Sequence, residues 1–162
     1  MKRIVAPLSL LACAAMLGAC SEPATPTTEA SAAPSVTPTT VSLPRQSSTA
    51  DARVYFVSPA DGATLSNPVK LEFGLDGMQV APAGDATPGT GHHHLLIDTP
   101  ELPNMNQPLP ANDKLIHFGG GQTEIELELA PGTHRLQLVL GDALHIPHQP
   151  PVVSEPITIT VE

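Results

Sequence analysis

The stretch VKLEFGL, residues 69–75, alternates side chain by side chain: Val69, Leu71, Phe73 and Leu75 point one way, Lys70 and Glu72 the other. In an extended chain successive side chains leave opposite faces, so this run is a strand with one face in a core and one in water. The pattern recurs. TEIELEL (123–129) sets Ile125, Leu127 and Leu129 against Glu124, Glu126 and Glu128. HRLQLVL (134–140) aligns Leu136, Leu138 and Leu140, and ITITV (157–161) aligns Ile157, Ile159 and Val161. RVYFVSP (53–59) opens a further strand, and APGTH (130–134) reads as a Gly-containing hairpin connection. No window of a dozen residues carries a helical stripe. Some seven short strands in roughly 110 residues predict an all-β domain over 52–162, a single immunoglobulin-like antiparallel β-sandwich.

Upstream the composition changes twice. Residues 21–50 are dominated by Pro, Thr, Ser and Ala, and the large apolar residues that bury a core are nearly absent. This predicts a disordered or polyproline-like tether over 20–51. Before it, MKRIVAPLSLLACAAMLGAC has a short basic start, an apolar stretch too short to span a bilayer, and small residues leading to Cys20. That is the form of a secretion signal. Leu17-Gly18-Ala19-Cys20 resembles the bacterial lipobox. The resemblance implies a signal peptide over 1–19, cleavage before Cys20 and lipid on that cysteine. More than one acyl chain would make the anchor stable. By resemblance to the Gram-negative sorting rule, Ser21 after the cysteine implies an outer-membrane lipoprotein of the bacterial cell envelope, facing the periplasm or the cell surface.

The whole chain has 7 basic and 16 acidic residues, a formal net charge of −9. Lys2 and Arg3 lie in the leader, so the remainder is more acidic still. Nucleic-acid binding needs Lys and Arg to replace counterions, and this chain has few. With no Trp, one Tyr and three Phe, stacking platforms for bases or sugars are not expected either. The two cysteines, Cys13 and Cys20, fall to the signal and the lipid. A metal site in the domain would therefore use His, carboxylate, Met or backbone oxygen.

All seven histidines lie between residues 92 and 148. Three stand together in GHHHLLID (91–98). On a strand His92 and His94 share a face with Leu96 and Asp98, and His93 shares the other with Leu95 and Ile97. Both faces carry apolar residues, so the spacing leaves open which one meets the core. A His-x-His pair on a strand can chelate one ion. His145 and His148 flank Ile-Pro in GDALHIPH (141–148) and form the expected partner pair, with His117 in LIHFGGGQ as a fifth candidate. Asp98 and Asp142 are expected as outer carboxylates that ligate or fix a His tautomer. The glycine run after His117 permits close approach of a ligand or a neighbouring strand. His134, in phase with Leu136 and Leu138, reads as a partly buried structural residue.

With imidazole and no thiolate, copper or zinc suits the set. Met78 and Met105 could support Cu⁺, but both are solitary and read as packing or loop residues. HExxH, GxSxG, GxGxxG and a P-loop lysine are all absent, so no catalytic motif accompanies the imidazoles. An acid/base role beside Asp98 or Asp142 ranks below binding. Between residues 98 and 113, DTPELPNMNQPLPAND is a long irregular connection of the kind that often carries function.

VYFVSPADGATLSNPVKLEFGLDGM, GHHHLLID, IHFGGGQTEIELELAPGTHRLQLVLGD and HIPHQPPVVSEPITITV together resemble a bacterial family of small secreted or lipid-anchored proteins known as a domain of unknown function. The resemblance covers about 53–161 and implies one β-rich domain exported to the envelope. The G-H-x-H, PG-x-H and D-x-x-H series is also similar to envelope sandwich domains suspected of binding copper. Two functions follow as expectations: a lipid-anchored metal-binding protein, acting as carrier or holding a structural ion, or a non-catalytic module that grips an envelope protein and uses its histidines as fasteners.

Overall fold

In the computed structural model, which describes residues 43–162, β8 (Gly132–Gly141) is the longest strand and organises the larger of two sheets. It pairs antiparallel with β9 (Ile157–Val161) on one side and β5 (Thr90–Ile97) on the other. The far edge of β5 is shared by β4 (Gln79–Val80), parallel to it, and β6 (Leu115–His117), antiparallel. β2 (Thr64–Leu65) closes the opposite edge, parallel to β9. The smaller sheet has the order β1 (Arg53–Ser58), β3 (Val69–Asp76), β7 (Glu124–Leu127). The described residues contain no helix, and the all-β expectation holds. Two of the short pairings are parallel, so the larger sheet is mixed rather than purely antiparallel.

The alternating runs place their apolar faces as the sequence predicts. Val54, Val69, Leu71 and Phe73 of the small sheet meet Leu95, Ile97, Leu136, Leu138, Leu140, Ile159 and Val161 of the large one in a single core. Ile125, Leu127, Leu129 and Ile157 pack at its margin. Burying such side chains contributes roughly 1.5–3 kcal/mol each before the entropic cost of ordering them.

The register answers the question the histidine triplet left open. His93 faces Leu140, Leu95 faces Leu138 and Ile97 faces Leu136, so His93 belongs to the inner face. There its ring lies 5.4 Å from that of Phe73. His92, His94 and Leu96 take the outer face of the large sheet. That face is not open to water. Leu96, Leu109, Leu115 and Val139 form a second apolar cluster on it, with Met105 and Val153 at the edge. The long connection after β5 therefore acts as cover for the outer face. Met78 packs in the main core, and Met105 is a loop residue packed against the second cluster.

Residues just before 52 make contacts with the domain. Ser47 bridges to Gln149, and Arg45 and Gln46 bond to the segment after β8. The leader, Cys20 and the tether up to residue 42 lie outside the described residues.

Candidate metal centre

β5 carries His92 and His94 side by side on the outer face, their ring centroids 4.7 Å apart. β6 brings His117 directly opposite His94. These three offer ligand nitrogens that all lie within 4.8 Å of one another. A fourth ring, His145, comes from the loop after β8; its centroid is 4.5 Å from that of His117 and 5.1 Å from that of His92. His145 adopts φ 66, an uncommon conformation for a residue with a side chain.

The ring nitrogens lack protein partners. His92 Nε2, both nitrogens of His94 and His117 Nε2 are buried without a hydrogen bond. A buried polar atom left unpaired costs about 1–3 kcal/mol, so a cluster of them is rare unless something else satisfies it. A cation with open coordination positions fits this donor set: lone pairs from several rings, converging, with no competing donor. The charge state fits as well. Burial, reinforced by the proximity of His117 and His145, pushes His92 down to about 4. Burial and the rings of His92, His117 and His145 push His94 down to about 2. His117 is lowered by burial and then by His145. Neutral imidazole is the form that ligates metal.

Glycines make the room. A Cβ on Gly141 would stand 2.5 Å from His94 Cε1, and one on Gly119 would stand 2.4 Å from His117 Cε1. The first of these positions carries no sequence signal beyond ending a strand. The second lies in the glycine run already read as permitting a close approach, and what approaches is the imidazole of His117.

Three expected members bond none of these rings. His148 is fully buried, but its Nε2 donates to the Thr90 carbonyl at 3.0 Å and its Nδ1 lies 3.4 Å from the Leu140 carbonyl. It fastens its loop to β5 and β8. The H-x2-H spacing fails to converge because the chain turns at His145. Asp98 does not reach the cluster either. β5 ends at Ile97 and Asp98 has φ 53, so it leaves the phase of His92 and His94. Its Oδ2 lies 2.8 Å from His134 Nδ1 and its Oδ1 accepts from Arg135 N. His134, also bonded to the Ala130 carbonyl, has its pKa raised by that bond and by Asp98. Asp142 is near the site but bonds no ring. Its Oδ1 accepts from the backbone N–H of Leu144 and Ile146, which shapes the loop that presents His145.

His93 is the remaining ring. Burial lowers its pKa, and backbone groups of Gln122 and Gly74 oppose that shift without reaching hydrogen-bond geometry. It faces the other side of the sheet and cannot join its neighbours.

A family model described as a domain of unknown function (DUF4399) matches residues 71–162, more than half of the chain and all seven histidines. No curated protein and no solved structure matches the chain.

Proposed function

The chain belongs to the DUF4399 family, and we propose that it binds one transition-metal ion through His92, His94 and His117, with His145 as fourth ligand. The carrying observation is the convergence of three imidazoles whose buried nitrogens have no protein partner. A nitrogen-only donor set favours Zn²⁺ or Cu²⁺, and in one site Cu²⁺ binds the tighter of the two. His117 and His145 are the partly exposed members and so form the side by which an ion enters. The role is that of a carrier or a structural site rather than a catalyst.

Saturating metal should raise the melting temperature of untagged protein. An ion at 100 times its Kd adds about 2.7 kcal/mol, on the order of 10 °C for a domain of this size. His94→Ala and His117→Ala should abolish the shift, and His134→Ala should leave it intact. An equal shift in His94→Ala, or none with either metal in the parent, would remove this reading.

The envelope location belongs to the same proposal. The lipobox-like end of the leader supports lipid on Cys20, with the tether holding the metal site away from the membrane. Cys20→Ser should move the protein from the membrane to the soluble fraction of a Gram-negative host. Membrane retention of that variant would sink the anchor.

A further inference from the structure

The segment just before the sandwich grips the loop that carries His145. Arg45 Nε donates to the Pro147 carbonyl at 2.7 Å, and its Nη2 donates to the His148 carbonyl. Nη1 donates to the side-chain oxygens of Gln149 and, at 3.1 Å, Asn106. The main chain follows: Gln149 N donates to Gln46 O at 2.8 Å and Ser48 N to Gln149 O at 3.2 Å. Upstream of His145, Gln46 N lies 3.4 Å from Asp142 Oδ2. The strap thus reaches both ends of the 142–149 loop.

The loop needs holding. His145 sits at φ 66, a conformation that persists only where surrounding contacts over-determine it. Its own bonds are few: His145 N donates to Asp142 O, and its carbonyl accepts from Leu109 N. Arg45, by contrast, is a planar guanidinium whose three nitrogens donate in a fixed fork, a geometry that the single ammonium of a lysine does not reproduce. It lies 26 positions before the first residue matched by the family model, so the family match does not include it.

We propose that Arg45 is a positioning residue for the metal centre: by clamping Pro147, His148 and Gln149 it holds the His145 imidazole in place as fourth ligand. This rests on the metal-binding reading. It also makes the end of the tether part of the site, so affinity depends on whether the strap is seated.

The test compares untagged parent, Arg45→Ala, Arg45→Lys, His145→Ala and the Arg45→Ala/His145→Ala double variant. Cu²⁺ affinity is measured by chelator competition, and coordination by electron paramagnetic resonance. Removing a group that orients a ligand typically weakens metal binding 10–100-fold. Arg45→Ala should lose affinity in that range and take on the spectrum of His145→Ala, and Arg45→Lys should recover only part. The double variant should bind no more weakly than His145→Ala alone, because both changes remove the same ligand. Parent affinity and spectrum in Arg45→Ala would overturn the proposal. So would an equal loss from Arg45→Ala in the His145→Ala background, which marks a general effect on the fold. Should Arg45→Ala not fold, Arg45→Lys carries the same comparison: partial loss supports the clamp, and full parent behaviour overturns it. A parent that binds no Cu²⁺ removes the metal reading and this inference together, and is recognised because no variant is needed to see it.

Discussion

Acidification from pH 7 to pH 4 will strip the metal-free protein of most of its stability. The imidazoles of His92 and His94 are held neutral by burial, at about 4 and about 2, against an ordinary value of 6.5. The unfolded chain therefore takes up protons below pH 6.5 that the folded chain refuses until pH falls to those values. More protons bound by the unfolded state means stability rising with pH across this window and lost as pH falls through it. His92 alone accounts for a loss on the order of 3 kcal/mol by pH 4, and His94 adds to it. Total stabilities of about 5–15 kcal/mol leave little margin against that. Urea unfolding at pH 7.5, 6, 5 and 4 measures the slope directly. The drop should begin near pH 6.5, where the unfolded chain's imidazoles take up protons, and saturating zinc should raise stability across the window without moving that onset. Unchanged stability down to pH 4.5 would mean that the rings take up protons in the folded state, which the buried cluster does not allow.

Gly141→Ala should abolish metal binding while leaving a folded domain. Gly141 does not have a positive φ, so the backbone accepts alanine there. The obstacle is steric: the new methyl stands 2.5 Å from Cε1 and 3.0 Å from Nδ1 of His94, a ring that is itself wholly buried. Overpacking a filled site costs typically 1–3 kcal/mol and is relieved by moving the offending side chain. Here the side chain that moves is a central ligand, and affinity should fall by at least about 100-fold, the upper end of what lesser disturbances cause. Gly119→Ala presses on His117 just as closely. His117 is only partly buried and has room to swing, so its loss should be smaller. Calorimetric titration with Zn²⁺ orders the two variants. Parent-like affinity in Gly141→Ala would show that His94 does not ligate.

The fold was legible because β3, β8 and β9 alternate cleanly, and period two admits one interpretation when one face is wholly apolar. β5 is different. It is buried on both faces, so alternation alone could not say whether His93 or the His92/His94 pair met the core. What decides it is the pairing of His93 with Leu140, together with the cover that the 98–114 connection and the 142–149 loop lay over the outer face. Both depend on contacts distant in sequence.

Four of the five candidate ligands come together, and the fifth fails for a local reason. His145 and His148 are three apart on a Pro-containing loop, and a left-handed residue between strand and proline sends their rings to different places. Asp98 fails similarly, since the strand phase that aligned it with His94 ends one residue too soon. Four residues of extended chain also put it roughly 13 Å beyond His94. Asp142 was recognisable as important from its place before His145. Its partners turned out to be backbone amides, which no spacing rule distinguishes from an imidazole. Arg45 gave no signal at all within a segment whose composition reads as tether.

The most direct measurement is the metal content and ligand set of the untagged protein after exposure to zinc and copper in turn, followed by desalting. One ion per chain, with X-ray absorption showing imidazole nitrogens alone at about 2.0–2.1 Å for zinc, and loss of that ion in His94→Ala, is the predicted result. Sub-stoichiometric metal, or one ion retained in full by His94→Ala, would contradict it.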